Sequence, residues 1–221
     1  MNPKKVSLII PAHNEAENIP AVLRIATATP EVSQIIVVAD ACSDNTAQIA
    51  KNFGVKVIER AATQGKGSAM IAGVAVAESE IIMFADADLE NLTTDHITQV
   101  LKPIFNNQAV MSVGLRDRIF GLGALIPKIW PMYAIGGERA MTKEFFNSLP
   151  KDQNILDFGI ETVMNYYAKK HQLKVSYPIL KNLHQVIKEK KYGFWHGFSD
   201  RLKLIKQVRR ARKIMKHKKD L

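Results

Sequence analysis

The chain has 221 residues, 31 Lys+Arg against 21 Asp+Glu, a formal net charge of +10 and 47% hydrophobic residues, which excludes a disordered, collagenous or disulfide-stapled protein. That length suits one large domain, or a domain with an appendage, whose core needs no disulfide or structural metal. With one cysteine, Cys42, too little apolar length in residues 1–10 for a signal-peptide core, and no run near the roughly 18 apolar residues of a membrane span, the expected address is cytoplasmic.

In chain order, residues 6–10, 34–39, 55–59 and 81–85 are short apolar runs rich in β-branched residues and predict strands. Residues 17–28, 46–52 and 68–77 predict the helices between them. Near-continuous apolar strands alternating with helices predict an α/β fold with a parallel sheet covered on both faces. Such sheets bind ligands beyond the carboxyl ends of their strands. After Pro103 the pattern loosens: residues 111–115 predict a strand, 120–132 form an apolar stretch punctuated by Gly and Pro, 160–170 predict a helix and 173–177 a strand. From Phe198 the apolar residues Leu202, Ile205, Val208 and Ala211 recur at helical spacing, predicting a basic amphipathic helix. The expected organisation is one domain over residues 1–197 and a helical appendage over 198–221.

Charge is unevenly divided. Residues 1–110 hold 8 Lys+Arg and 12 Asp+Glu, and residues 111–221 hold the other 23 and 9. Much of the excess lies in residues 200–221, and a basic tail serves nucleic acid, anionic lipid or simple solubility, among which composition does not choose. No recognition motif or interleaved aromatics support nucleic acid, so the expected partner of the second half is an anionic acceptor or an anionic membrane surface.

The strand ends carry the chemistry. The first ends in Pro11-Ala12-His13-Asn14-Glu15, the second in Asp40 followed by Ser43-Asp44-Asn45-Thr46, and the fourth in Asp86-Ala87-Asp88. Residues two apart on an extended chain point the same way, so Asp86 and Asp88 can converge. Hard divalent cations take one or two carboxylates plus substrate phosphates, which suits this pair. Gln64-Gly65-Lys66-Gly67 opens a helix, where free N–H groups, the dipole and Lys66 favour an anion. Arg116 and Arg118 follow a predicted strand, and arginine forks match phosphate.

The order and spacing of these elements over residues 5–105 resemble family 2 glycosyltransferases with the GT-A fold, a Rossmann-like, mostly parallel sheet flanked by helices. The resemblance implies that Pro11, Ala12, Asn14 and Glu15 frame the nucleotide, that Asp40 bonds its base, that Asp86, with Ala87 beside it, lies near the ribose, and that Asp88 ligates Mg²⁺ or Mn²⁺. Lys66, at the helix start, is independently a candidate contact to phosphate or nucleotide. The usual D-D-G-S reads Ala39-Asp40-Ala41-Cys42 here, without its first Asp and its Gly. In the second half, Gly136-Gly137-Glu138-Arg139, Asp157-Phe158-Gly159-Ile160-Glu161 and Asn182-Leu183-His184 are similar to glucosyl-3-phosphoglycerate synthases and to mannosylglycerate-type and lipid-directed relatives. This implies that Gly136 and Gly137 line the acceptor site and that His184 completes the metal site. Arg116 and Arg118, by their place after a predicted strand, are candidates to reach the diphosphate or an anionic acceptor. Glu161, with Asp157 second, is then the base of an inverting reaction or the group that orients the sugar in a retaining one.

The expected function is metal-dependent transfer of a sugar, UDP-linked by resemblance, to an acceptor whose identity stays open, an anionic or phosphorylated one being compatible with the basic second half. The alternatives are a polyprenyl-phosphate sugar transferase resting peripherally on the inner face of the membrane through residues 198–221, and, outside enzymes, a degenerate nucleotide-sugar-binding protein. A homodimer is compatible with each. A dinucleotide dehydrogenase is disfavoured because no G-x-G-x-x-G follows the first strand.

Overall fold

A computed structural model describes residues 5–116, 136–150 and 160–186. The apolar runs of the first half form β1 (Val6–Ala12), β2 (Val32–Asp40), β3 (Lys56–Arg60) and β4 (Ile81–Phe84). Between them lie α1 (Ile19–Ala28), α2 (Thr46–Asn52) and α3 (Lys66–Ala75). All four strands are parallel, with β1 between β2 and β4 so that Ile9 lies opposite both Ile36 and Phe84. There follow β5 (Leu89–Glu90), α4 (Thr94–Phe105), β6 (Met111–Val113), β7 (Leu115–Arg116), β8 (Arg139–Thr142), α5 (Lys143–Ser148), α6 (Ile160–Lys170), β9 (Val175–Ser176), β10 (Ile179–Leu180) and β11 (His184–Gln185).

Seven strands make one sheet in the order β3-β2-β1-β4-β8-β6-β9. β8 runs antiparallel to both β4 and β6, so the sheet expected from the first half to be parallel is mixed, though mostly parallel. Alternate residues of the strands feed opposite faces. Leu8, Ile10, Val37 and Met83 pack with α1 and with Ile97, Val100, Leu101 and Ile104 of α4. On the other face Ile9, Ile36, Val38, Ile82 and Phe84 pack with Met70 of α3, Phe145 and Phe146 of α5 and Met164 of α6. Both faces are buried, which is why the strands read as continuous apolar runs.

Three elements depart from the sequence expectation. Residues 111–115 split into β6 and β7 because the chain changes partner at Gly114, whose N–H donates to the Glu138 carbonyl (2.8 Å) while that of Leu115 donates to Pro178 (2.8 Å). The strand expected over 173–177 shortens to β9. Helix α4 is not among the helices expected from the sequence, although Ile97, Val100, Leu101 and Ile104 recur in it at helical spacing. It is started by a capping box in which the Thr93 hydroxyl accepts from the His96 N–H (3.2 Å) and the Thr93 N–H donates to His96 Nδ1 (3.3 Å). A histidine stands where the usual box has Glu or Gln. The stretch 120–132 and the helix expected over 198–221 lie outside the described residues.

Candidate active site at the strand ends

Two loops meet beyond β1 and β2. Asn14 adopts φ 54°, and its side-chain oxygen accepts from the Ser43 N–H (2.8 Å). The Glu15 N–H donates to Thr46 Oγ1 (2.8 Å) and that of Ala16 to Asp44 Oδ2 (3.0 Å). The Glu15 carboxylate accepts from the Asn18 amide (2.7 Å). The Pro11–Glu15 segment is thereby locked to the loop after Asp40, with Ala12 buried and Pro11 half-buried beneath. Asp40 is buried. Its Oδ2 accepts from the Thr63 hydroxyl (2.8 Å), and the Arg60 guanidinium lies 3.4 Å from Oδ1 as a charge contact without hydrogen-bond geometry. His13 Nδ1 closes on the Asp40 carbonyl (2.6 Å).

A second constellation lies at the end of β4. Lys66, the first residue of α3, donates to Asp86 Oδ1 (2.7 Å) and Glu161 Oε1 (2.9 Å). Arg116, delivered by β7, donates to Asp86 Oδ2 (3.0 Å) and forks onto Glu138 with contacts of 2.6 and 3.1 Å. Five residues far apart in sequence thus form one chain of alternating charge: Glu161, Lys66, Asp86, Arg116, Glu138. Arg139 lies fully buried behind it, donating to the carbonyls of Gly136 (2.7 Å) and Glu161 (3.3 Å) and to Asn165 Oδ1 (2.9 Å). Those bonds place both the Gly136-Gly137 loop and the start of α6.

The two glycines are required by close approach. A Cβ on Gly137 would overlap both oxygens of Asp86, and one on Gly136 would come within 2.6 Å of the Gly114 carbonyl. The loop is therefore packed on the acid it follows in space.

Burial alone would push Lys66 down, but Asp86 and then Glu161 reverse this and hold its pKa above the ordinary lysine value. Burial would likewise lower Arg116, and Glu138 followed by Asp86 raises it. Asp86 would rise on burial, yet Lys66 and Arg116 bring it down to about 2. Glu138 is shifted upward by burial and then by Asp86. Lys66 and Arg116 are consequently fixed cations, and Asp86 is a fixed anion near neutrality.

Asp88 is buried, and both its oxygens accept from the Gln185 amide nitrogen (2.9 and 3.0 Å). β11 pairs with β5 so that Gln185 lies opposite Leu89 and His184 opposite Glu90. Neighbouring strand residues point to opposite sides, so with Gln185 turned to Asp88 the exposed His184 faces away. The Asp86 and Asp88 carboxylates do converge, on Gln185 Nε2, which is 3.5 Å from Asp86 Oδ2. Among the described residues no group of three or more His, Cys, Asp or Glu forms a ready metal cage. An oxygen donor of this kind fits a hard cation that takes one or two carboxylates and completes its shell with substrate phosphate.

The family model described as "Glycosyl transferase family 2" matches residues 7–166. The chain belongs to glycosyl transferase family 2. Among curated members, the 4,4'-diaponeurosporenoate glycosyltransferase of Staphylococcus haemolyticus is 27% identical over 172 residues, 73% of this chain and 44% of that protein. The dolichol-phosphate mannosyltransferase of Pyrococcus furiosus is 32% identical over 135 residues, 58% of this chain and 37% of that protein. This family 2 chain thus spans less than half the length of these relatives. Among solved structures, glucosyl-3-phosphoglycerate synthase of Mycobacterium tuberculosis in complex with Mn²⁺, UDP-Glc and phosphoglyceric acid has a TM-score of 0.73 at 18% identity, covering 93% of this chain and 80% of that one. Its complex with Mg²⁺ and UDP gives 0.70 at 20% identity, covering 83% and 72%. These likenesses establish the GT-A fold. Among the described residues of this family 2 chain, no helix is long and apolar enough to cross a membrane.

Of the expected site residues, Lys66, Asp86, Arg116 and Glu161 meet directly, Asp88 joins them through Gln185, and Gly137 packs on Asp86. Ala87 is buried between the two acids. Asp40, Asn14 and Glu15 belong to the neighbouring loop cluster. Arg118 and Asp157 lie outside the described residues. Sequence reading did not single out Glu138, Arg139 or Gln185 as functional. The charged pair Glu138-Arg139 at the head of an apolar run was the available signal for the first two, and Gln185 carried none.

Proposed function

We propose that this chain transfers a sugar from a nucleoside-diphosphate sugar to an acceptor, with Mg²⁺ or Mn²⁺ held by Asp88. The observation that carries the reading is the convergence of Lys66, Asp86, Arg116, Glu161 and, through Gln185, Asp88 at the carboxyl end of β4. The loops after β1 and β2, with Asp40, hold the nucleoside. Lys66 and Arg116 carry the permanent positive charge that a departing diphosphate requires, already oriented, so that little reorganisation accompanies its departure. Bound at Asp88, the cation adds neutralisation of that same charge.

The acceptor oxygen forms the new bond to the anomeric carbon as the bond to the diphosphate breaks. In an inverting reaction Glu161 takes the acceptor proton. In a retaining one Glu161 orients the sugar through its bond to Lys66, and the acceptor proton passes to the departing diphosphate oxygen. Proton NMR of the product anomer separates the two. UDP as the nucleotide is supported by the UDP complexes of the structural neighbours.

A phosphorylated acceptor is supported by the 23 Lys+Arg against 9 Asp+Glu of residues 111–221 and by the phosphoglyceric acid in the neighbour's complex. A polyprenyl-phosphate acceptor at a membrane surface has its own support in the dolichol-phosphate mannosyltransferase relative and in the amphipathic spacing of residues 198–215. The test is a panel of UDP- and GDP-sugars with Mn²⁺ or Mg²⁺, offered soluble phosphorylated acceptors or polyprenyl phosphate in anionic vesicles. Vesicle-dependent turnover lost on deleting residues 198–221 selects the membrane reading. Donor binding without turnover across the panel leaves a nucleotide-sugar-binding protein, and no binding at all sinks the proposal.

A further inference from the structure

Gln185 occupies a position that neither the sequence motifs nor the proposed reaction assigns. Its amide is used at both ends. Nε2 donates to the two oxygens of Asp88 (2.9 and 3.0 Å), and Oε1 accepts from Arg116 Nη1 (2.7 Å). The orientation is dictated by its partners, since a carboxylate only accepts and a guanidinium only donates. β11 fixes the backbone of Gln185 beside β5, and the Val186 N–H donates to the Asp88 carbonyl (3.0 Å), so the side chain is anchored at the acid it covers.

We propose that Gln185 is a latch that competes with the divalent cation for Asp88 and, on release, frees a donor of Arg116 for the anion. Nε2 lies almost equally far from the two oxygens of Asp88, 2.9 and 3.0 Å, where a cation chelated by that carboxylate would sit, so the two compete for one place. Cation binding at Asp88 therefore displaces Nε2. Because both bonds belong to one amide, the displacement also withdraws Oε1 from Arg116 Nη1. Asp86 and Glu138 still hold the remaining nitrogens of that guanidinium at 2.6 to 3.1 Å, so Arg116 keeps its position while gaining a free N–H. Cation and anion binding are thereby coupled through a residue that need touch neither product nor donor, and such coupling acts equally in both directions. This inference rests on the assignment of the cation to Asp88 in the proposed function.

The experiment measures Mn²⁺ binding without nucleotide, by the loss of the free-ion electron paramagnetic resonance signal, in the full chain and in Q185A, Q185M and D88A. Q185M keeps the side-chain length and removes both hydrogen bonds. Loss of the competing bonds to a carboxylate lowers the Mn²⁺ Kd of both Gln185 variants by about tenfold, a gain that misfolding would not produce, and D88A abolishes binding. A Kd in Q185A and Q185M equal to or weaker than that of the wild type, with D88A still silent, overturns the latch and leaves the metal-dependent reading standing. Mn²⁺ binding unaffected by D88A, or absent from the wild type even with UDP, overturns both.

Discussion

Gly137 lies so close to Asp86 that a Cβ at residue 137 would overlap both carboxylate oxygens. The acid cannot step aside, because Lys66 (2.7 Å) and Arg116 (3.0 Å) hold its two oxygens from different directions. G137A must therefore displace the loop or break an ion pair in a buried site. Overpacking of this kind costs about 1–3 kcal/mol, and a misplacement near 1 Å at a reacting centre costs on the order of 10²-fold in rate. The expected result is a folded variant with a lowered Tm and kcat/KM reduced by about two orders of magnitude. Wild-type turnover in G137A would mean that the loop position does not matter to the site.

Asp86 ties stability to pH in a direction that can be worked out. Its folded pKa of about 2 lies below the ordinary 3.8, so its contribution is complete above pH 4 and is lost as pH falls from 4 through 2. The size is about 2 kcal/mol. D86N leaves Lys66 paired with Glu161 alone and Arg116 with Glu138 alone, so the deficit at pH 6 should be about 2 kcal/mol. Most of that deficit should vanish by pH 2. Glu138 leans the other way: raised by burial and then by Asp86, it costs stability once ionised, and its protonation offsets part of the acid loss. Urea unfolding of wild type and D86N across pH 2–6 reads the difference directly. A deficit that stays constant over this range would refute the linkage.

Ala41 occupies the place where the related motif has glycine, and it adopts φ 53°. A left-handed conformation costs an L-residue about 1–2 kcal/mol, whereas a glycine enters it freely at the expense of about 0.5–1 kcal/mol of unfolded-chain entropy. The Ala41 N–H bond to the Arg60 carbonyl (2.9 Å) is made by the backbone and survives the substitution. A41G should thus be more stable by about 0.5–1 kcal/mol, visible as a rise in Tm of about 1–4 °C. A fall in Tm would show that the methyl group is worth more in its packing than the backbone strain.

Much of the fold and part of the site were legible in the sequence, for reasons visible in particular residues. Ile9, Ile36 and Phe84 belong to strands buried on both faces, and that burial writes itself as continuous apolar runs. Lys66 and the Asp86/Asp88 pair follow such runs, so position alone drew attention to them. By contrast, α4 carries Ile97, Val100, Leu101 and Ile104 at helical spacing, but Pro103 lies inside it and its cap pairs Thr93 with His96 instead of an acid or amide, and these features mask a helix that the apolar stripe alone would show. β8 begins with Arg139, directly after Glu138, two charges that only three-dimensional pairing neutralises. Gln185 matters because β11 turns it toward Asp88. A shift of one residue would present His184 instead, and no local pattern distinguishes the two registers.

The division of labour between the two acids of the Asp86-Ala87-Asp88 turn gives the sharpest test of metal dependence. Asp86 is bound to two cations of the protein and is integral to the fold, whereas the hydrogen bonds described at Asp88 come from one neutral amide. Truncating Asp88 leaves the Gln185 amide without this acceptor, a cost of about 1–2 kcal/mol. D88A should therefore melt within a few degrees of wild type. If Asp88 holds the cation that neutralises the departing diphosphate, its kcat/KM should still fall by about 10²–10³. Chelation of wild type with EDTA should match that loss, and Mn²⁺ should restore wild type but not D88A. Full turnover of wild type in EDTA would remove the cation from the reaction and leave Lys66 and Arg116 as the only fixed positive charges described at the leaving group. In that case K66A, rather than D88A, would be the variant that abolishes transfer.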